Sequence, residues 1–126
     1  MNEPMTFDPA AFSVGLDRDL LASFVPDRPD PPVPVSGATF GVATMAENSP
    51  HVGEMHPDGD EVLFLISGRI NVVFPDDPVG DIEVVPGGGL VVPKGMWHRV
   101  DILEPSQIVY LTPGPNNKFR PSSKDT

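Results

Sequence analysis

The stretch His56-Pro57-Asp58-Gly59-Asp60-Glu61-Val62-Leu63-Phe64-Leu65-Ile66-Ser67-Gly68 decides how this chain is read. His56, a potential metal ligand, stands just before a turn, Pro57-Asp58-Gly59, and Glu61 opens the apolar run that follows it. A tight turn folds one strand back beside the other, so His and Glu on either side of it can converge on one point. Downstream, Gly87 and Pro93-Lys94-Gly95-Met96-Trp97-His98 bring a second imidazole after another glycine-proline turn. Two imidazoles and a carboxylate from three strands suit a catalytic first-row metal ion.

Outward from this stretch the pattern is all-β. Residues 62–66 and 70–74 are β-rich runs around Ser67-Gly68-Arg69, which predicts a hairpin there. From Ala38 the period is two: Phe40, Val42 and Thr44 alternate with Thr39, Gly41 and Ala43. Residues 82–85, 90–92, 97–103 and 108–111 complete a set of short strands separated by turn residues, the signature of a sandwich or barrel. His56 precedes a proline and is expected at a strand end. Residues 1–35 are read as a Pro-rich N-terminal arm packing on the barrel, 36–115 as the barrel, and 116–126 as a loose C-terminal tail. In the arm, Phe7, Phe12, Leu16, Leu20, Leu21 and Phe24 fall near helical spacing, and Asp17 is expected to cap a short helix.

The 126 residues suit one domain with a single core. Gly 12 and Pro 17 approach the level of a disordered chain, but many of the prolines punctuate apolar runs, as in a turn-rich β domain. With no cysteine, disulfides and thiolate metal sites are excluded. A net charge of -10 argues against nucleic acid and anionic membrane as partners. The first residues lack the pattern of a signal peptide, and no apolar run reaches bilayer length, so a cytoplasmic location is expected.

With these residues in view, the sequence resembles the cupins, small jelly-roll (double-stranded β-helix) barrels marked by G-(x)5-H-x-H-(x)3-4-E-(x)6-G and G-(x)5-P-x-G-(x)2-H-(x)3-N. His56, Glu61 and Gly68 match the first motif, and Gly87, Pro93, Gly95 and His98 match the second. Three positions depart: Asn48 replaces the leading glycine, Glu54 the first histidine and Ile102 the final asparagine. Glu54 and His56 are two apart, so their side chains share a strand face, and a ligand role would relieve an unpaired inward carboxylate. The ligand set is then Glu54, His56, Glu61 and His98, with Glu54 alternatively a general base and His51 a rival fourth ligand. Two carboxylates favour Fe or Mn, and Ni, Zn or Cu remain compatible with the imidazoles. Asp58 and Asp60 read as turn residues, and Met55, Met96 and Trp97 as packing.

The resemblance implies a metal-dependent enzyme on a small organic molecule, an oxidoreductase of oxygenase type or a related enzyme. The alternative is a non-catalytic small-molecule-binding module. Three phenylalanines in the arm are more apolar surface than a free segment tolerates, so a homodimer is expected.

Overall fold

The computed structural model describes residues 3–26 and 33–120, and these form β-strands without a helix. The strands are β1 (Phe12–Asp17), β2 (Ala22–Pro26), β3 (Gly37–Met45), β4 (Gly53–Met55), β5 (Glu61–Phe74), β6 (Gly80–Val84), β7 (Gly89–Val92), β8 (Arg99–Gly114) and β9 (Lys118–Arg120). Seven of them make one antiparallel sheet in the order β2-β1-β3-β8-β5-β6, with β7 also paired to β5; β4 and β9 form a separate pair. The expected all-β jelly-roll barrel is the architecture observed.

Two long strands carry it. β5 and β8 pair along most of their length, with the register broken between Leu65 and Ile70. Residues 67–69, expected to turn a hairpin, are instead a bulge within one strand. Residues 61–65 and 70–74 both pair with β8 and not with each other. Gly68 takes φ 88, which a side chain would strain, and Ser106 fills the opening on β8, its Oγ accepting from Arg69 N at 3.1 Å and donating to the Glu104 carbonyl at 2.7 Å. The bulge also resets the alternation. Leu63 and Leu65 point inward before it, Ile70, Val72 and Phe74 after it, and with Val84, Val92 and Ile108 they make the core.

The N-terminal residues join the sheet. The short helix expected after Asp17 is a hairpin between β1 and β2. Asp17 Oδ1 accepts from Asp19 N at 2.8 Å and Leu21 N at 3.0 Å, and Leu20 takes φ 64. Phe12 and Leu16 also satisfy a period of two, with Val14 between them, and pairing of β1 with β3 rewards that period. Phe7 and Phe12 pack on Phe24, with ring centroids 5.3 and 5.9 Å away. The prolines at 29, 31 and 32 lie outside the described residues, whereas residues 118–120, placed in the tail by the sequence reading, form β9.

Candidate metal centre

The inward positions of β3 are small at Thr39, Gly41 and Ala43, before Met45. They leave space at the barrel mouth, and four side chains from β4, the turn after it, β5 and the residue just before β8 converge there. One ligand atom from each of Glu54, His56, Glu61 and His98 lies within 4.8 Å of the others. His56, Glu61 and His98 are buried, and Glu54 is 28% exposed, the wet edge of the group.

Each is placed by local structure. Glu54 and His98 form an antiparallel bridge, Glu54 N donating to the His98 carbonyl at 2.8 Å and His98 N to the Glu54 carbonyl at 3.0 Å. Directly opposed residues project to the same side, which brings both side chains to the centre. Gly95, at φ 79, donates to the His56 carbonyl at 3.0 Å and ties the second glycine-proline turn to the first. β4 and β5 do not pair with each other, so His56 and Glu61 meet across the mouth rather than within a hairpin.

The imidazoles are oriented from behind. His56 Nδ1 lies 2.9 Å from Asn117 Oδ1, and His98 Nδ1 lies 3.1 Å from the Met96 carbonyl oxygen. An acceptor at each Nδ1 holds the proton there and turns each Nε2 toward the carboxylates. His98 Nε2 is 3.0 Å from Glu61 Oε1 and 3.2 Å from Glu54 Oε1. His56 Nε2 is 3.2 Å from Glu61 Oε2 and 3.9 Å from Glu54 Oε1. The closer of those is an ion-pair contact, in which buried His56 Nε2 makes no well-formed hydrogen bond. Thr112 Oγ1 donates to Glu61 Oε2 at 2.6 Å and fixes that carboxylate.

Titration follows from these contacts. Burial disfavours the His98 imidazolium, but hydrogen bonds to Glu54 and Glu61 and their charges outweigh it and raise its pKa to about 10. His56 is raised in the same way, burial opposing and Glu61 prevailing. Burial alone would raise Glu61, yet His56 and His98 beside it, with Thr112, hold it down at about 2. A divalent cation fits the same atoms. It would take the place of the protons shared between imidazoles and carboxylates, give the orphaned Nε2 a partner, and leave a formally neutral set.

His51 is not in the cluster; its ring packs on Phe119 at 4.7 Å. Asp58 accepts from Asn116 N and Nδ2 at 2.7 and 3.0 Å, and Asp60 from Lys94 N at 2.7 Å, both binding turns together. Met96 packs on the core, and Trp97 lies under the Arg120 guanidinium at 4.1 Å. Sequence reasoning missed Asn117 and Thr112. Both are neutral residues far from the motifs, and only their pairing distances reveal them. Two of the departures also meet: Asn48 Oδ1 accepts from Ile102 N at 2.6 Å.

A cavity of about 150 Å³ adjoins the cluster, walled by Leu63, Ile108, Val100, Tyr110 and Thr112 among others. His51, Glu54 and Tyr110 also line a wider groove of about 790 Å³ outside it, bounded by Ser13, Val25 and Phe119.

This barrel with its rim of histidines and glutamates is a cupin in fold. It is similar to a cupin-2 domain protein from Shewanella frigidimarina, at 24% identity and TM-score 0.53 over 65% of this chain and 76% of that chain. It is also similar to Bacillus subtilis oxalate decarboxylase, a protein with Mn(II) centres, at 20% identity and TM-score 0.55 over 66% of this chain and 24% of that one. A third likeness is to the DMSP lyase DddQ from Ruegeria pomeroyi, at 19% identity and TM-score 0.53 over 65% of this chain and 42% of that chain. No protein-family model and no curated protein sequence matches the chain.

Proposed function

We propose that the protein is a metal-dependent enzyme, of oxygenase type or related, that acts on a small organic molecule. Glu54, His56, Glu61 and His98 are its ligands for a divalent cation. The observation that supports this most is the pair of imidazoles held through Nδ1, with both Nε2 atoms aimed at two carboxylates and buried His56 Nε2 left with an ion-pair contact to Glu61 but no well-formed hydrogen bond. A network built only to stabilise the barrel would pair that atom.

Two carboxylates among four ligands favour Fe(II) or Mn(II). The bound ion would supply Lewis-acid chemistry to an oxygen-bearing substrate. The rest is done by the chain. Thr112 and the two histidines hold Glu61 ionised, and Asn117 and Met96 fix the rings. Leu63, Val100 and Ile108 exclude water from one side of a chamber sized for a few non-hydrogen atoms. Glu54, partly exposed at its edge, is the carboxylate placed to take a proton from substrate if it leaves the metal. A decarboxylase and a lyase among the structural neighbours show that this barrel also hosts reactions other than oxygenation.

Metal analysis of protein purified without chelators tests the reading, with about one ion per chain expected. In His98→Ala, metal retention should be lost while the β-type circular dichroism persists, and the melting temperature in metal-replete buffer should fall. Full occupancy in that variant would overturn the ligand assignment. Oxygen uptake or product formation with small oxygenated substrates then separates enzyme from binding module.

A further inference from the structure

Two spaces meet at the metal centre, and the strand registers show where. Cross-strand partners lie on the same side of a sheet. On the inner face a row runs Val25, Ser13, Gly41, Tyr110 and Leu63, across β2, β1, β3, β8 and β5. Leu63 walls the chamber of about 150 Å³, and Ser13 and Val25 wall the groove of about 790 Å³. Tyr110 stands between them and lines both, as do Ala43, Met45, Glu54 and Thr112. Residues shared by two spaces mark the opening from one to the other.

That opening depends on position 41 carrying no side chain. A Cβ on Gly41 would stand 2.6 Å from the Tyr110 hydroxyl oxygen, 2.8 Å from its Cζ and 3.0 Å from Ser13 Cβ. The Tyr110 phenol therefore lies over Gly41, against the sheet. Non-bonded carbons rest at ~3.5–4.0 Å, so a methyl at 41 would lift the ring off the sheet into the space it borders.

The two spaces suit different chemistry. The chamber is the size of a cavity that holds a benzene ring, and it ends at Glu54, Glu61 and His98. The groove has the volume of a site for a larger organic ligand. Val25, Val33 and Phe119 give it apolar walls, the last two half-exposed. Among its described lining residues there is no lysine or arginine, while Glu47 and Glu54 are acidic. We infer that the substrate is a two-part molecule, with an oxygen-bearing head in the chamber and an uncharged, apolar tail in the groove. Gly41 and Tyr110 are the specificity-determining pair that lets the tail pass. The tail covers apolar side chains that a compact polar substrate would leave in water. This inference rests on the four-ligand metal site.

Alkyl hydroxamates supply the probe, because their paired oxygens chelate Mn(II) whatever the reaction. Calorimetric titration of the Mn(II)-loaded full chain compares acetohydroxamate with octanohydroxamate. Each methylene buried in the groove strengthens binding about fourfold, so the wild type should bind the longer probe at least ~30-fold more tightly. In Gly41→Ala that ratio should fall to about fivefold or less, with the β-type circular dichroism kept. Gly41→Ala/Tyr110→Leu should restore the preference, since the obstructing ring is gone. Similar affinities for both probes in the wild type overturn the two-part substrate and leave the metal site standing. That comparison needs no substitution, so it decides the matter even if Gly41→Ala fails to fold. A folded Gly41→Ala protein that keeps the full ratio overturns the role of the pair. Protein that takes up no Mn(II) overturns the ligand set and this inference with it.

Discussion

At the level of single residues, the centre depends on how the imidazoles are held. Asn117 touches His56 Nδ1 and no other residue of the proposed ligand set, so Asn117→Ala should keep the fold and weaken metal affinity by about 10–100-fold. Equilibrium titration with Mn(II) measures this, and an unchanged affinity would mean that Asn117 does not orient His56. Glu54→His asks whether position 54 faces the ion. Its Oε1 lies within reach of both Nε2 atoms, so the variant should retain metal and show three imidazoles by X-ray absorption where the wild type shows two. The formal charge of the site rises by one, which raises any metal-centred redox potential. An unchanged imidazole count would place Glu54 off the metal, as a base. His56, Glu61 and His98 were legible in the sequence because turn residues at fixed spacing announce them. Glu54 was legible only through its two-residue offset from His56. Its bridge to His98, which sets its direction, joins residues 44 positions apart and leaves no local trace.

At the level of the strand, alternation and turn chemistry showed where β-structure lies but not how it is joined. Ser67-Gly68-Arg69 has the composition of a hairpin, and nothing nearby distinguishes a chain that reverses from one that bulges and continues. The choice is made by β8, which is long enough to pair with both halves of β5. Residues 12–17 satisfied two periods at once, and the vacant edge of β3 selected the strand. The inward and outward faces of β3 follow the same principle: Phe40 lies outside and Gly41 inside, where a side chain would meet the Tyr110 ring. Gly68→Ala tests the bulge. A Cβ there would meet Ser106 Oγ and the Pro105 carbonyl in a backbone conformation that L side chains rarely adopt. We expect a loss of about 1–3 kcal/mol in urea unfolding. A change within about 0.5 kcal/mol would show that the bulge accommodates a side chain.

For the whole molecule, the site ties stability to pH with opposite signs for its two kinds of group, and metal reverses one of them. Without metal, His98 is raised from 6.5 to about 10, and His56 moves in the same direction. Their contribution to stability is therefore complete below 6.5 and is lost as pH rises toward 10. Glu61 is lowered from 4.5 to about 2, so its contribution is complete above 4.5 and is lost as pH falls toward 2. The metal-free protein should be most stable, as far as this site is concerned, between those inner limits. Coordination needs both Nε2 atoms without protons, so the ion competes with protons that the apo site holds tightly. Metal binding near neutral pH should then release protons, measured as a dependence of the calorimetric heat on the buffer's ionisation enthalpy. The melting-temperature difference between metal-replete and metal-free protein should widen from about pH 5.5 to about pH 8.5, as the competing protons become scarce and the apo form weakens. A difference that stays constant over that range, with no proton release, would mean that any bound ion is held without the imidazoles.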